Sequence, residues 1–91
     1  MKRVRVIISG KVQGVFFRAR THEMAQSLSL AGWVMNRADG SVEAVFEGKE
    51  DDLEAMLSWC RKGPAASRVT KVEVYDQVRS EPLESFTIRY F

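Results

Sequence analysis

A chain of 91 residues, 45% hydrophobic and 29% charged, is the material of one soluble globular domain spanning residues 1–91, since domains average roughly 100 to 200 residues. Apolar runs such as Val6-Ile7-Ile8 and Val15-Phe16-Phe17 fall far short of the roughly 18 residues that span a membrane, and no apolar signal region follows Lys2-Arg3, so a cytoplasmic protein is expected. The net charge is only +2, yet residues 1–20 hold Lys2, Arg3, Arg5, Lys11, Arg18 and Arg20 without an acid, a basic end suited to a phosphate compound or a nucleic acid.

In chain order, residues 3–9 alternate, with Val4, Val6 and Ile8 on one face, and predict a half-buried strand ending at Gly10. From Phe17, the positions Thr21, Met24, Ala25, Leu28 and Ala31 recur at steps of three and four and predict a helix closed by Gly32. Residues 32–36 and 41–47 are strand-like about Asp39-Gly40, a hairpin signal, so these two strands should pair antiparallel. Asp51 and Asp52 suit a helix N-terminus, Leu53, Met56, Leu57 and Cys60 form its apolar stripe, Arg61 and Lys62 suit its C-terminal dipole, and Gly63-Pro64 stops it. Val69, Val72 and Val74 lie in a fourth strand, and Phe86, Ile88 and Tyr90 alternate with Thr87, Arg89 and Phe91 in a terminal one. The order β-α-β-β-α-β with a further terminal strand is the split βαβ, or ferredoxin-like, α+β arrangement, two helices on one face of an antiparallel sheet. That arrangement hosts RNA-binding modules, metal chaperones, ligand sensors and small enzymes alike, so only a site decides function.

The lone cysteine, Cys60, sits in the stripe of the second helix and has no CxxC partner, which favours core packing over redox or zinc chemistry. The lone histidine, His22, builds no metal cluster by itself and reads as a surface or boundary residue, so metal catalysis is not expected, although counting alone leaves carboxylate-bound magnesium open. Chemistry concentrates between the first strand and first helix, where Gly10-Lys11-Val12-Gln13-Gly14-Val15-Phe16-Phe17-Arg18 delivers an arginine to a helix start through a loop with two glycines. Unpaired N–H groups and the dipole at a helix N-terminus attract anions, glycine lets the loop curl around them, and a guanidinium offers forked donors to phosphate or carboxylate. A βα loop of this composition also occurs with nothing bound, and Val15, Phe16 and Phe17 can simply seat it on the core. Asn36, just before Arg37-Ala38-Asp39-Gly40, is a second candidate, with local turn hydrogen bonding as its plainer role.

The stretch from Gly10 to Arg18, with Gly32-Trp33-Val34-Met35-Asn36 and Gly40-Ser41-Val42, resembles the two signature motifs of the acylphosphatases. The resemblance extends over the whole chain, including Gly63-Pro64 and the ending Ser85-Phe86-Thr87-Ile88-Arg89-Tyr90. It implies hydrolysis of the carboxyl-phosphate bond of acyl phosphates to a carboxylate and inorganic phosphate, without metal or cofactor, the phosphate also acting as an inhibitor. It further implies that Arg18 binds the phosphoryl group, that Asn36 positions the attacking water, and that Gln13, Gly14, Val15, Phe16 and Phe17 supply a backbone cradle. Thr21 matches a threonine common in that helix, Lys11 stands where many members have arginine, and Met35 where many have a basic residue. A monomer acting on a small molecule, with no nucleic-acid or membrane partner, is the corresponding expectation.

An RNA recognition motif has the same element order but needs stacking aromatics, with basic and glycine residues, on its third strand. Here that strand reads Val42-Glu43-Ala44-Val45-Phe46-Glu47, with two acids and one aromatic, which argues against it. A ligand-sensing domain leaves Arg18 and Asn36 unexplained. A non-catalytic acylphosphatase-like domain normally fused to a larger maturation enzyme is a related alternative, against which a free-standing domain of residues 1–91 is the expectation.

Overall fold

The alternation at the N-terminus resolves into strand β1 (Lys2–Lys11), followed by helix α1 (Phe17–Ser27), β2 (Ala31–Asn36), β3 (Val42–Gly48), α2 (Glu50–Lys62), β4 (Arg68–Asp76) and β5 (Phe86–Arg89). The computed structural model describes residues 1–78 and 82–90, so Phe91 of the expected terminal alternation lies outside the described residues. The strands form one sheet in the order β4-β1-β3-β2-β5. Pairs β1–β3, β1–β4 and β2–β3 are antiparallel, as a split βαβ chain requires.

β5, however, pairs parallel to β2, with Phe86 beside Gly32 and Ile88 beside Val34. The sheet is therefore mixed, where a wholly antiparallel one was expected. The reason is topological: β4 lies at the opposite edge of the sheet, so the chain crosses one end of it and enters β5 from the end where β4 finished. Strands β1, β2 and β5 consequently all run the same way, and their C-terminal ends lie at one end of the sheet.

The helices cover one face. Val4, Val6, Ile8, Val34, Val42, Ala44, Phe46 and Phe86 from the strands meet Phe17, Ala25, Leu53, Met56 and Cys60 from the helices in a single core. Phe46 and Phe86 stack at 5.5 Å, fastening the edge strand β5 across β2 to β3, and Phe17 meets Trp59 at 5.6 Å where the two helices touch. Cys60 is buried in this layer, and burial pushes its thiol up to about 12, so it stays protonated and packs as an apolar group. The opposite face carries charge: Arg3 pairs with Glu47, its register partner, and Arg5 with Glu43. No helix among the described residues is long and apolar enough to cross a membrane.

Helix α1 stops at Ser27, four residues short of the expected Ala31, because Leu28, Ser29 and Leu30 form a closing turn, with Ser29 at φ 55, and Ala31 already pairs with Glu47 in β2. The apolar spacing of Ala31 belongs to a strand rather than to the helix preceding it. β1 ends in a bulge between Ser9 and Gly10, where Gly10 at φ 124 lies so close to the Arg68 carbonyl that a Cβ would collide with it. The bulge turns the chain out of β1 into the loop that precedes α1.

Candidate active site

Three segments meet at the sheet end where β1, β2 and β5 finish. Their common wall is a pocket of about 140 Å³ lined by Val12, Gly14, Phe16, Phe17, Arg18, Ala19, Asn36, Ile88 and Tyr90. That volume is small against the roughly 300 to 1,000 Å³ of sites for drug-sized ligands, and matches a group the size of a phosphoryl. The loop after β1 contributes Gly14, at φ 73, and Phe16, at φ 61 and ψ 22, which is the N-cap of α1. Among the described residues, the N–H groups of Gly14, Val15 and Phe16 donate to no backbone acceptor. The first turn of α1 contains no acid, so the positive end of its dipole is uncompensated.

Arg18, in that first turn, is half-buried, and its guanidinium sits 4.9 Å from the centre of the Tyr90 ring. No carboxylate pairs with it among the described residues. Asn36 is the last residue of β2, and period-two alternation places its side chain on the same face as buried Val34 and toward the pocket. Its Oδ1 is buried and has no hydrogen-bond partner. A buried acceptor left unpaired costs about 1 to 3 kcal/mol, and the plain turn role does not relieve it. Asp39 serves the turn instead: its carboxylate accepts from the Ser41 hydroxyl and the Ser41 N–H, and these bonds, the hydroxyl first, hold its pKa below the usual value. The β2–β3 connection is therefore a five-residue loop closed by Arg37 N–H to Ser41 C=O at 2.9 Å, wider than a two-residue Asp-Gly turn.

A family model described as Acylphosphatase matches residues 4–88. Acylphosphatase of Rubrobacter xylanophilus is 49% identical over 88 residues, covering 97% of this chain and 80% of that one. The acylphosphatase of Rhodospirillum rubrum is 58% identical over 74 residues, 81% of each chain. The crystal structure of the Bacillus subtilis acylphosphatase superposes with a TM-score of 0.95 at 39% identity, covering 99% of this chain and 100% of that one.

The chain belongs to the acylphosphatase family. It is an acylphosphatase enzyme, and the reaction of the family is hydrolysis of acyl phosphates, small-molecule substrates.

Within this acylphosphatase, Gly14, Phe16, Phe17, Arg18 and Asn36 line one pocket, whereas the Gln13 side chain points away to a structural task. Its amide donates to the carbonyls of Arg37 at 2.8 Å and Ser41 at 2.9 Å, tying the loop after β1 to the hairpin that carries Asn36. Sequence spacing held no sign of this brace. Val15 and Phe17 do seat the loop on the core, but Phe16 faces outward and is 79% exposed. Met35 projects to the opposite face of the sheet from Asn36, beside Glu43 of β3, so its lack of charge does not alter the pocket. Thr21 is buried and donates back to the Phe17 carbonyl at 2.8 Å. His22 packs 6.1 Å from the Phe86 ring and lies outside the pocket lining, a boundary position. Tyr90 was read only as part of a strand alternation; the signal missed was its place at the C-terminal end of a strand parallel to β2.

Proposed function

We propose that this acylphosphatase hydrolyses the carboxyl-phosphate bond by direct attack of water, with Arg18 and the backbone of Gln13, Gly14, Val15, Phe16 and Phe17 holding the phosphoryl group and Asn36 positioning the water. The observation that carries this is the unpartnered Oδ1 of Asn36, buried in the same pocket as Arg18. A water donating to that oxygen satisfies it and aims its own lone pair at phosphorus. The N–H groups of the loop that have no backbone acceptor and the forked guanidinium suit the equatorial oxygens of a transferring phosphoryl group.

Phosphoryl transfer through a loose transition state needs positioning and charge stabilisation more than covalent help. Water oxygen bonds to phosphorus as the bond from phosphorus to the acyl oxygen breaks. The carboxylate leaves with the electron pair, and the water proton passes to a phosphoryl oxygen, giving dihydrogen phosphate. A carboxylate is a good leaving group, so no side-chain acid is required, and the substrate itself takes the proton. That economy agrees with a pocket whose lining, among the described residues, contains no carboxylate or imidazole. The same reading has residues 1–91 acting as one domain and as a monomer, with neither metal nor cofactor.

Purified protein in chelator-treated buffer should hydrolyse acetyl phosphate, inorganic phosphate should inhibit competitively, and its binding should shift the amide resonances of Gly14, Val15 and Phe16. Turnover that vanishes on chelation and returns with magnesium, or phosphate shifts confined to other residues, would refute the proposal.

A further inference from the structure

The net charge of +2 conceals an uneven distribution along the sheet. At the end away from the pocket, Glu50, Asp51 and Asp52 open α2, and Glu50, Glu54, Asp76 and Lys2 border a groove. Carboxylates outnumber cations in that groove, and Lys2 is already engaged with Asp76 at 3.5 Å. The balance reverses at the pocket end. Arg18 lines the pocket itself, Lys11 adjoins the lining residue Val12, and Arg68, where β4 begins, is the register partner of Lys11. Arg61 and Lys62 close α2 at this same end, because a Cβ on the following Gly63 would stand 3.0 Å from the Phe17 ring. The acids of this region are engaged locally: Asp39 accepts from the Ser41 hydroxyl and lies 3.8 Å from Arg37, and Glu73 lies 3.8 Å from Lys71.

Folding accounts for some of these cations and not for others. Arg61 and Lys62 suit the negative end of the α2 dipole. Lys11 and Arg68 are both exposed, and neither pairs with a carboxylate among the described residues. They also lie directly opposite each other on the β1–β4 ladder, where like charges destabilise the pairing. Folding alone favours an acid at one of the two positions, as β1 and β3 show with Arg3 opposite Glu47. The repulsion between Lys11 and Arg68 is offset by whatever anion approaches them, and the pocket beside them is the destination of one.

We propose that Lys11 and Arg68 are capture residues, which touch neither the phosphoryl group nor the attacking water but concentrate the anionic acyl phosphate at the mouth of the pocket. They then set kcat/KM and leave kcat alone. The proposal rests on the hydrolytic reading above for the anion that arrives. The field of an exposed charge reaches about 30 Å at 0.01 M salt and about 8 Å at 0.15 M, so encounter driven by it weakens steeply as salt is added. The acids at the far end act in the same sense, by repelling substrate from the wrong end of the molecule.

The test is kcat and KM for acetyl phosphate across a sodium chloride series, in the wild type, Lys11→Gln, Arg68→Gln and the double variant, with Lys49→Gln as a control at the far end. At low salt each single change should lower kcat/KM on the order of threefold and the double change about tenfold, all through KM. The differences should close at high salt, and Lys49→Gln should follow the wild type throughout. Competition by chloride for the pocket is common to all the proteins, so it leaves the differences between them intact. Loss of the like-charge opposition should hold or raise the melting temperature of the double variant, which separates capture from damage to the fold. A double variant with wild-type kcat/KM at low salt, a deficit that persists at high salt, or a fall in kcat would each overturn the proposal. Binding of inorganic phosphate, followed by the amide resonances of Gly14, Val15 and Phe16, gives a readout without turnover: the double variant should bind it more weakly at low salt and equally at high salt, and equal binding at both would overturn capture. A wild type that binds phosphate in this salt-dependent way but does not cleave acetyl phosphate would overturn the hydrolytic reading and leave capture standing.

Discussion

Arg18 and Asn36 approach one pocket from different elements and offer different chemistry, and this separates what their loss should do. Arg18 brings a permanent charge, and in the proposed mechanism it touches the phosphoryl group in both ground and transition states. Arg18→Ala should therefore weaken inorganic phosphate inhibition as well as abolish most turnover, since a hydrogen bond to a charged group contributes about 1.5 to 3 kcal/mol. Asn36 is neutral, and its buried Oδ1 has no partner. Removing it relieves an unsatisfied acceptor rather than breaking a bond within the fold, so Asn36→Ala should leave the melting temperature unchanged or slightly raised. Its kcat should nevertheless fall on the order of a hundredfold, with the phosphate inhibition constant nearly unmoved. Near-normal kcat in Asn36→Ala, or a loss of activity that follows a loss of stability, would return Asn36 to a turn role. The pairing of stability with activity decides the matter, because loss of a residue kept for folding lowers both together, whereas loss of a residue kept for chemistry lowers activity while stability holds or rises.

At the scale of elements, the sequence made visible what periodicity encodes and concealed what depends on long-range contact. Leu53, Met56 and Cys60 announced the buried face of α2, and Val4, Val6 and Ile8 that of β1, because each repeats at the period of its element. Ala31 continued the helical spacing by coincidence and belongs to β2, since spacing alone does not register the turn at Ser29. The direction of β5 was equally hidden, because a terminal strand shows the same alternation whichever way it pairs. Arg18 and Asn36 were legible through the two motifs, whereas the Gln13 brace was not, its partners being backbone carbonyls 24 and 28 residues away. That brace invites a measurement. Both carbonyls keep another donor, Gly40 N–H for Arg37 and Arg37 N–H for Ser41, so Gln13→Ala should cost only about 1 kcal/mol of stability. The functional loss should be larger, seen as a several-fold rise in KM as the loop and the hairpin carrying Asn36 drift apart. Gln13→Glu, which sets a carboxylate against two carbonyl oxygens, should be worse on both counts than Gln13→Ala; if the alanine and glutamate variants behave alike, the side chain does not brace the site.

For the molecule as a whole, the parallel placement of β5 matters more than its short length suggests. It brings Ile88 and Tyr90 to the end of the sheet where the loop after β1 and the end of β2 already lie; an antiparallel β5 would carry them to the far end. The pocket thus gathers on the helical side of one sheet end, and the other face of the sheet is free to be built for stability alone. There the Arg3 guanidinium meets Glu47 at 3.0 Å, with side chains only 4% and 6% exposed, directly across the β1–β3 ladder. Removing one member of such a pair leaves a desolvated charge and costs about 3 to 5 kcal/mol, whereas replacing both by apolar residues of similar volume is often neutral or stabilising. Arg3→Met alone should therefore lower the denaturant midpoint sharply, and Arg3→Met combined with Glu47→Leu should recover most of the loss. Since neither residue lines the pocket, kcat per folded molecule should stay at the wild-type value in both variants. A double variant as unstable as the single one would mean that the pair stabilises the sheet beyond what apolar packing supplies, and a kcat that fell with it would mean that the two faces of the sheet are not independent.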